Sequence, residues 1–166
     1  KAPTPWTEDQ LFSYLSTGYT DAHGVAAGPM GPVVTELAKL PDADRRAMAV
    51  YLASLSGDAQ AQPETSPAPQ LSAVSLSNGQ RVFEGACQGC HADGLGPKLF
   101  GVSPALASNS NLHSALPDNL LKVIMQGIPV PATADLGYMP GFKDSLSNRQ
   151  ITELAAYLRQ RFAPAE

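Results

Sequence analysis

The chain has 166 residues with 15 acidic and 11 basic side chains, a formal charge of −4, 43% hydrophobic residues and 16% charged ones. That is enough apolar material for a core and too little net charge for a disordered chain, while the absence of a basic patch argues against nucleic-acid binding and no stretch reaches the ~18 apolar residues of a membrane span. With 14 glycines and 15 prolines, loop-rich architecture is favoured over long regular elements.

Two amphipathic segments come first, Leu11 to Leu15 and Asp44 to Leu55, and their apolar faces need partners. The stretch from Gly57 to Gln70 has no aromatic or large aliphatic residue and contains Pro63, Pro67 and Pro69, so it reads as a semi-extended linker. It separates an acidic piece, with four basic and eight acidic residues over 1–70, from a neutral one, with seven of each over 71–166. The expected organisation is an N-terminal piece at 1–57, a Pro/Ala/Gln-rich linker at 58–77 and a complete domain at 78–166.

In the second piece, Asn78 to Cys87 suits a short helix running into Cys87-Gln88-Gly89-Cys90-His91. Both cysteines of the chain lie in this motif, which has the C-x-x-C-H form of a c-type haem attachment site. Two thioether bonds fix the porphyrin, and the adjacent imidazole then reaches only one face of the iron. A redox dithiol, a disulfide or half a zinc site are the competing readings, and the zinc site lacks its second pair of ligands. Further on, Asp118 opens a crowded apolar helix through Leu120, Leu121, Val123, Ile124 and Met125 that stops at Gly127. The last helix has Ser147 as N-cap and an apolar face of Ile151, Leu154, Ala155, Leu158 and Phe162. No alternating run reads as a strand, so the fold class is all-α.

A haem held by His91 needs a sixth ligand or an open position. Met139 is the preferred candidate because Gly137-Tyr138-Met139-Pro140-Gly141 cannot be a helix interior and presents the thioether from a rigid loop. Met125 reads as core filler, and His113, in a Ser/Asn-rich loop, as a solvated surface residue. A His/Met pair raises the reduction potential and leaves no site for oxygen or substrate, which points to electron transfer. A haem peroxidase or a gas sensor would require Met139 to be absent from the iron or displaced.

The N-terminal piece repeats part of the second domain. At an offset of 109, Leu11 falls on Leu120, Leu15 on Ile124, Gly18 on Gly127 and Met30 on Met139; at an offset of 106, Ala49, Tyr51 and Leu52 fall on Ala155, Tyr157 and Leu158. Nothing in the N-terminal piece matches the attachment motif.

Residues 78–162 resemble a class I cytochrome c domain, through Gly79 and Phe83, through Cys87, Cys90 and His91, through the Gly96-Pro97 turn, Met139-Pro140 and Tyr157-Leu158. The resemblance implies a class I cytochrome c fold, first and last helices crossing at Gly79, Phe83 and Tyr157, one covalent haem c with iron bound by His91 and Met139, and a Pro97 carbonyl receiving the His Nδ1 proton. Residues 4–55 resemble the closing half of domains in multi-haem cytochrome c subunits of periplasmic dehydrogenases, of the alcohol or the nicotinate and aldehyde molybdenum hydroxylase type. Trp6-Thr7, Tyr14-Leu15, Thr17-Gly18, His23-Gly24, Gly28-Pro29-Met30 and Ala49-Val50-Tyr51-Leu52 carry it.

That resemblance implies a non-enzymatic electron-transfer subunit in the periplasm, at the outer face of the cytoplasmic membrane in some members. It would pass electrons from a dehydrogenase subunit to quinone, an oxidase or another cytochrome. Because residues 71–166 carry seven basic and seven acidic side chains and so no strong field of either sign, docking is expected through a mostly apolar rim around the haem edge, with weak salt dependence. A free-standing cytochrome shuttling to an oxidase is the alternative. Met30 matches a haem ligand in a piece without attachment cysteines. Three readings follow: truncation of a longer polypeptide, which is preferred, a half-domain that lost its haem and packs on the intact domain or a partner, or a missing half supplied by another chain. His23 reads as a surface or loop residue, and Trp6 and Tyr14 as core or interface aromatics. Lys1 is preceded by no Met or apolar leader, so removal of any signal sequence is expected.

Overall fold

The computed structural model describes residues 5–55, 72–91 and 105–164. In order these form α1 (Glu8–Thr17), β1 (Tyr19–Thr20), β2 (Gly24–Val25), α2 (Met30–Leu37), α3 (Asp42–Leu55), α4 (Ala73–Ala86), α5 (Gln88–His91), α6 (Ser110–His113), α7 (Asp118–Gln126) and α8 (Asn148–Phe162). Single 3-10 turns lie at Leu106–Ser108 and Ala134–Leu136. The all-α expectation holds apart from β1 and β2, a two-residue antiparallel pair that joins Tyr19 to Val25.

The main core is Phe83, Leu112, Leu120, Ile124, Ile151, Leu154, Ala155, Tyr157 and Leu158. It is organised by the crossing of α4 over α8. A Cβ on Gly79 would lie 2.2 Å from the Glu153 carbonyl oxygen, so the two backbones touch there. Phe83 then packs at 5.8 Å from Tyr157 and 5.7 Å from Phe162. Beside the crossing, the buried Glu153 carboxylate accepts from Arg149 Nε at 3.0 Å and Asn78 Nδ2 at 3.4 Å, and the Arg149 bond holds it below the usual carboxylate range. Ser147 caps α8 as expected, with Gln150 completing a capping box. Helix α4 starts at Ala73, five residues before the expected Asn78, because the Ser72 hydroxyl accepts from Ser75 N and caps the first turn. The expected linker therefore does not extend over residues 73–77, Ser72 is the cap, and the rest, 58–71, lies outside the described residues.

The repeat is visible in three dimensions. Helix α1 packs against α3 as α7 packs against α8, and both first helices end at a glycine of positive φ, Gly18 at 76° and Gly127 at 67°. The N-terminal piece docks on the second domain through a small cluster of its own, Ala26 and Val34 from one side with Ala132 and Leu136 from the other. Hydrogen bonds flank it, from Ser108 Oγ to Asp21 O at 3.2 Å and from Thr35 Oγ1 to Ala132 O at 3.1 Å.

His23 lies in the turn between β1 and β2, as a loop residue, but not at the surface. It is only 5% exposed, stacked at 3.7 Å on Trp6, which in turn meets Tyr14 edge-on at 5.3 Å. Gln10 Oε1 already accepts from Thr7 N, so His23 Nε2, 3.3 Å from the same oxygen, is the donor. Nδ1 is then left to accept from the Ser110 hydroxyl at 3.1 Å. Burial lowers the His23 pKa from its ordinary 6.5, so below about pH 6.5 the unfolded chain binds the extra proton and stability is lost as pH falls. The stacked indole offsets part of this by favouring a cation. Acidification from about pH 7.5 to about pH 5 is expected to lower the melting temperature ~2 °C further in the wild type than in His23→Gln. Equal pH dependence of the two in thermal denaturation would exclude a titrating His23.

Candidate functional site

The last turn of α4 delivers the attachment motif. Cys87 N donates to Phe83 O at 2.9 Å and ends α4, and the chain continues as one further helical turn in which His91 N donates to Cys87 O at 2.9 Å. The spacing of three places Cys87 and Cys90 on neighbouring positions of one turn, with His91 directly beyond. Cys87 is half-buried and Cys90 exposed, and no disulfide joins them. Burial, and then the charge of Cys90, push the Cys87 thiol up to about 11. A redox dithiol needs the opposite, a thiolate stabilised near neutral pH. Among the described residues no group of three or more His, Cys, Asp or Glu could hold a metal ion.

Burial lowers the His91 pKa and keeps the ring neutral, as a metal-binding imidazole must be. Its Nδ1 is buried with no hydrogen-bond partner among the described residues. Pro97, the expected partner, lies outside them.

Across the same cleft, Met139 sits half-buried in a loop whose two ends are tied together. Ile128 N donates to Met139 O at 2.8 Å and Met139 N to Ile128 O at 3.2 Å. Pro140 disfavours helical backbone at Met139 and supports this extended geometry. Cys87, Cys90, His91 and Met139 line one cleft together with Phe83, Leu112, Leu120, Ile124, Leu136, Phe142 and Leu154. Apolar walls around two thiols, an imidazole and a thioether fit a covalently held haem: sulfur for the vinyl groups, a nitrogen and a soft sulfur as axial donors, and, among the described residues, no carboxylate, lysine or arginine in the wall.

Of the other expected site residues among those described, only Phe83 also lines this cleft. Gly79, Phe83 and Tyr157 form the helix crossing. His113 is half-buried, its Nε2 2.7 Å from Ala107 O, rather than solvated. Met125 packs on the main core. Met30 opens α2, is 37% exposed and does not line the cleft, so the repeat's match to Met139 does not extend to local geometry. Val25, from the N-terminal piece, does line it. Nothing in its sequence surroundings signals this, because every other residue of the cleft lies between Phe83 and Leu158, far along the chain.

The family described as cytochrome c oxidase, cbb3-type, subunit III matches residues 74–158. The chain belongs to this cytochrome c family. A cytochrome c domain carries covalently bound haem c and transfers electrons rather than converting a substrate. The cytochrome c domain and its N-terminal piece together are 70% identical over 164 residues to a subunit of nicotinate dehydrogenase from Pseudomonas putida, covering 98% of this chain and 14% of that protein. They are 33% identical over 186 residues to the fructose dehydrogenase cytochrome subunit of Gluconobacter japonicus, covering 97% and 38%. The cytochrome c subunit of alcohol dehydrogenase (quinone) from Gluconacetobacter polyoxogenes is 30% identical over 165 residues, covering 93% and 35%. The chain thus spans between 14% and 38% of the length of these relatives.

Proposed function

We propose that this chain relays single electrons through a haem c joined to Cys87 and Cys90 and ligated by His91 and Met139, within a cytochrome subunit that serves a dehydrogenase. The convergence of those four side chains on one apolar cleft carries the reading. When bound, the haem supplies the Fe(III)/Fe(II) couple. His91 offers a neutral nitrogen, and the leucine, isoleucine and phenylalanine walls exclude water, which lowers the reorganisation that accompanies a change of charge. The ties between Ile128 and Met139 favour a thioether held in both oxidation states over the displaced ligand that a peroxidase or gas sensor requires.

The dehydrogenase partner rests on the names of the relatives, among which the nicotinate dehydrogenase subunit has the highest identity of the three. Quinone, an oxidase or another cytochrome would take the electrons onward. A periplasmic location, near the outer face of the cytoplasmic membrane, agrees with where resembling subunits receive their haem.

Residues 5–55 are read as the closing half of a further haem unit. In α8 the face under α4 is buried, with Glu153 at 4% and Tyr157 at 8% exposure, whereas at the matching positions of α3 Ala47 is exposed and Tyr51 reaches 64%. An opening helix like α4, from a cytochrome half-domain elsewhere in the polypeptide or in another chain, would cover that face, and Met30 would then be a candidate ligand.

The test pairs intact mass with absorption. The 166-residue chain matured with haem is expected to gain the mass of one covalent haem, and in its oxidised state to show a weak sulfur-to-iron charge-transfer band. Met139→Ala is expected to lose that band entirely and to bind carbon monoxide in the reduced state. A band that survives Met139→Ala, or a chain that releases its haem in acidic acetone, would overturn the assignment.

A further inference from the structure

The loop that bears Met139 is closed at its base by Ile128 and Met139, but its middle has little support of its own. Within it only the turn Ala134–Leu136 is regular, and Val130 is 78% exposed. Yet Ala132 and Leu136 are buried, at 9% and 6%, in the cluster they form with Ala26 and Val34 of the N-terminal piece. The Thr35 hydroxyl, its one proton shared with the Gly31 carbonyl, reaches Ala132 O at 3.1 Å. Thr133 Oγ1 returns a contact to Thr17 O at 3.5 Å. Leu136 belongs both to this cluster and to the lining of the cleft, and Val25 enters that lining from the N-terminal side.

We propose that the N-terminal piece is a brace for the ligand loop: Val34 and Thr35 act as positioning residues that hold Ala132 and Leu136, and through them keep Met139 at the iron. This rests on the reading of Met139 as the sixth ligand. A loop of this length without regular structure opens locally at low cost, and an opened loop withdraws the thioether and exposes the iron to small ligands. Clamping the loop middle on a packed surface lowers the open population, and with it the rate at which an external ligand enters.

The experiment uses the full 166-residue haem protein and two variants. Thr35→Val keeps side-chain shape and removes only the hydroxyl, and Val34→Ala/Thr35→Val also opens a small void against Ala132 and Leu136. Carbon monoxide binding to the reduced protein is expected to speed up about threefold in the first and about tenfold in the second, with the oxidised-state sulfur-to-iron band weakened in the second. Amide exchange supplies a readout that does not need the iron. The Met139 amide is expected to exchange faster in both variants, while that of Leu154, in the main core, stays unchanged. Carbon monoxide rates within about twofold of wild type in both variants, with the band present in the wild type and Met139 exchange unaltered, would overturn the brace and leave the ligand assignment standing. A wild type without the band would instead overturn the ligand assignment, and the brace for it as well.

Discussion

Gly79→Ala is expected to destabilise the haem protein by about 3 kcal/mol, although alanine is the better helix former by about 1 kcal/mol. The new methyl carbon would stand 2.2 Å from the Glu153 carbonyl oxygen and 2.8 Å from Tyr157 Cβ. The nearest of these atoms belongs to the α8 backbone, so no rotamer change relieves the overlap, and the clash outweighs the gain in propensity. Helix α4 has to move off α8, which separates Phe83 from Tyr157 and Phe162 and unseats the interhelical bond from Asn78 to Glu153. Because the last turn of α4 carries Cys87, the same movement shifts the attachment motif. Urea denaturation of the purified protein and the yield of covalently attached haem should fall together. A variant as stable as the wild type would mean that the helices cross farther apart than Gly79 indicates.

The parts of this architecture legible in the sequence are those with short-range signatures. The spacing of Cys87, Cys90 and His91 declares the attachment chemistry, and Ser147 with the periodic Ile151, Leu154 and Leu158 declares α8. Met30 shows where such reading stops. Its alignment with Met139 is sound as a repeat, but Pro140 follows Met139 and disfavours helical backbone there, whereas Pro29 precedes Met30 and suits the entry to α2, whose φ of −61° at Pro29 is already helical. The start of α4 is obscured by Ser75 and Ser77, which read as linker yet follow a Ser72 cap. The docking of the N-terminal piece, with buried His23 and the contact of Ala26 and Val34 with Ala132 and Leu136, rests on small residues and distant partners. Small residues in contact carry no periodicity, so only the folded structure reveals them.

Gly127→Ala is expected to remove Met139 from the site while leaving the helix crossing intact. At φ 67° and ψ −163°, Gly127 occupies backbone space that is essentially closed to other residues, at a cost of about 1–3 kcal/mol for any side chain. Its missing Cβ is also the space taken by the Met139 carbonyl oxygen, 2.2 Å away, and by Gly141 N at 2.6 Å. Both costs fall on one point, the close pass between the end of α7 and the return of the ligand loop. The least costly relief is to separate them, which breaks the paired hydrogen bonds between Ile128 and Met139 that fix the loop ends. Helices α4 and α8 meet through Phe83, Tyr157 and Phe162, away from this turn, so helical circular dichroism should be retained. The oxidised protein should lose its sulfur-to-iron band, and the reduced protein should bind carbon monoxide rapidly. Loss of the band together with the helical signal would show instead that the ligand loop and the helix crossing unfold as one cooperative unit, and an unchanged band would show that the loop tolerates a wider passage at Gly127.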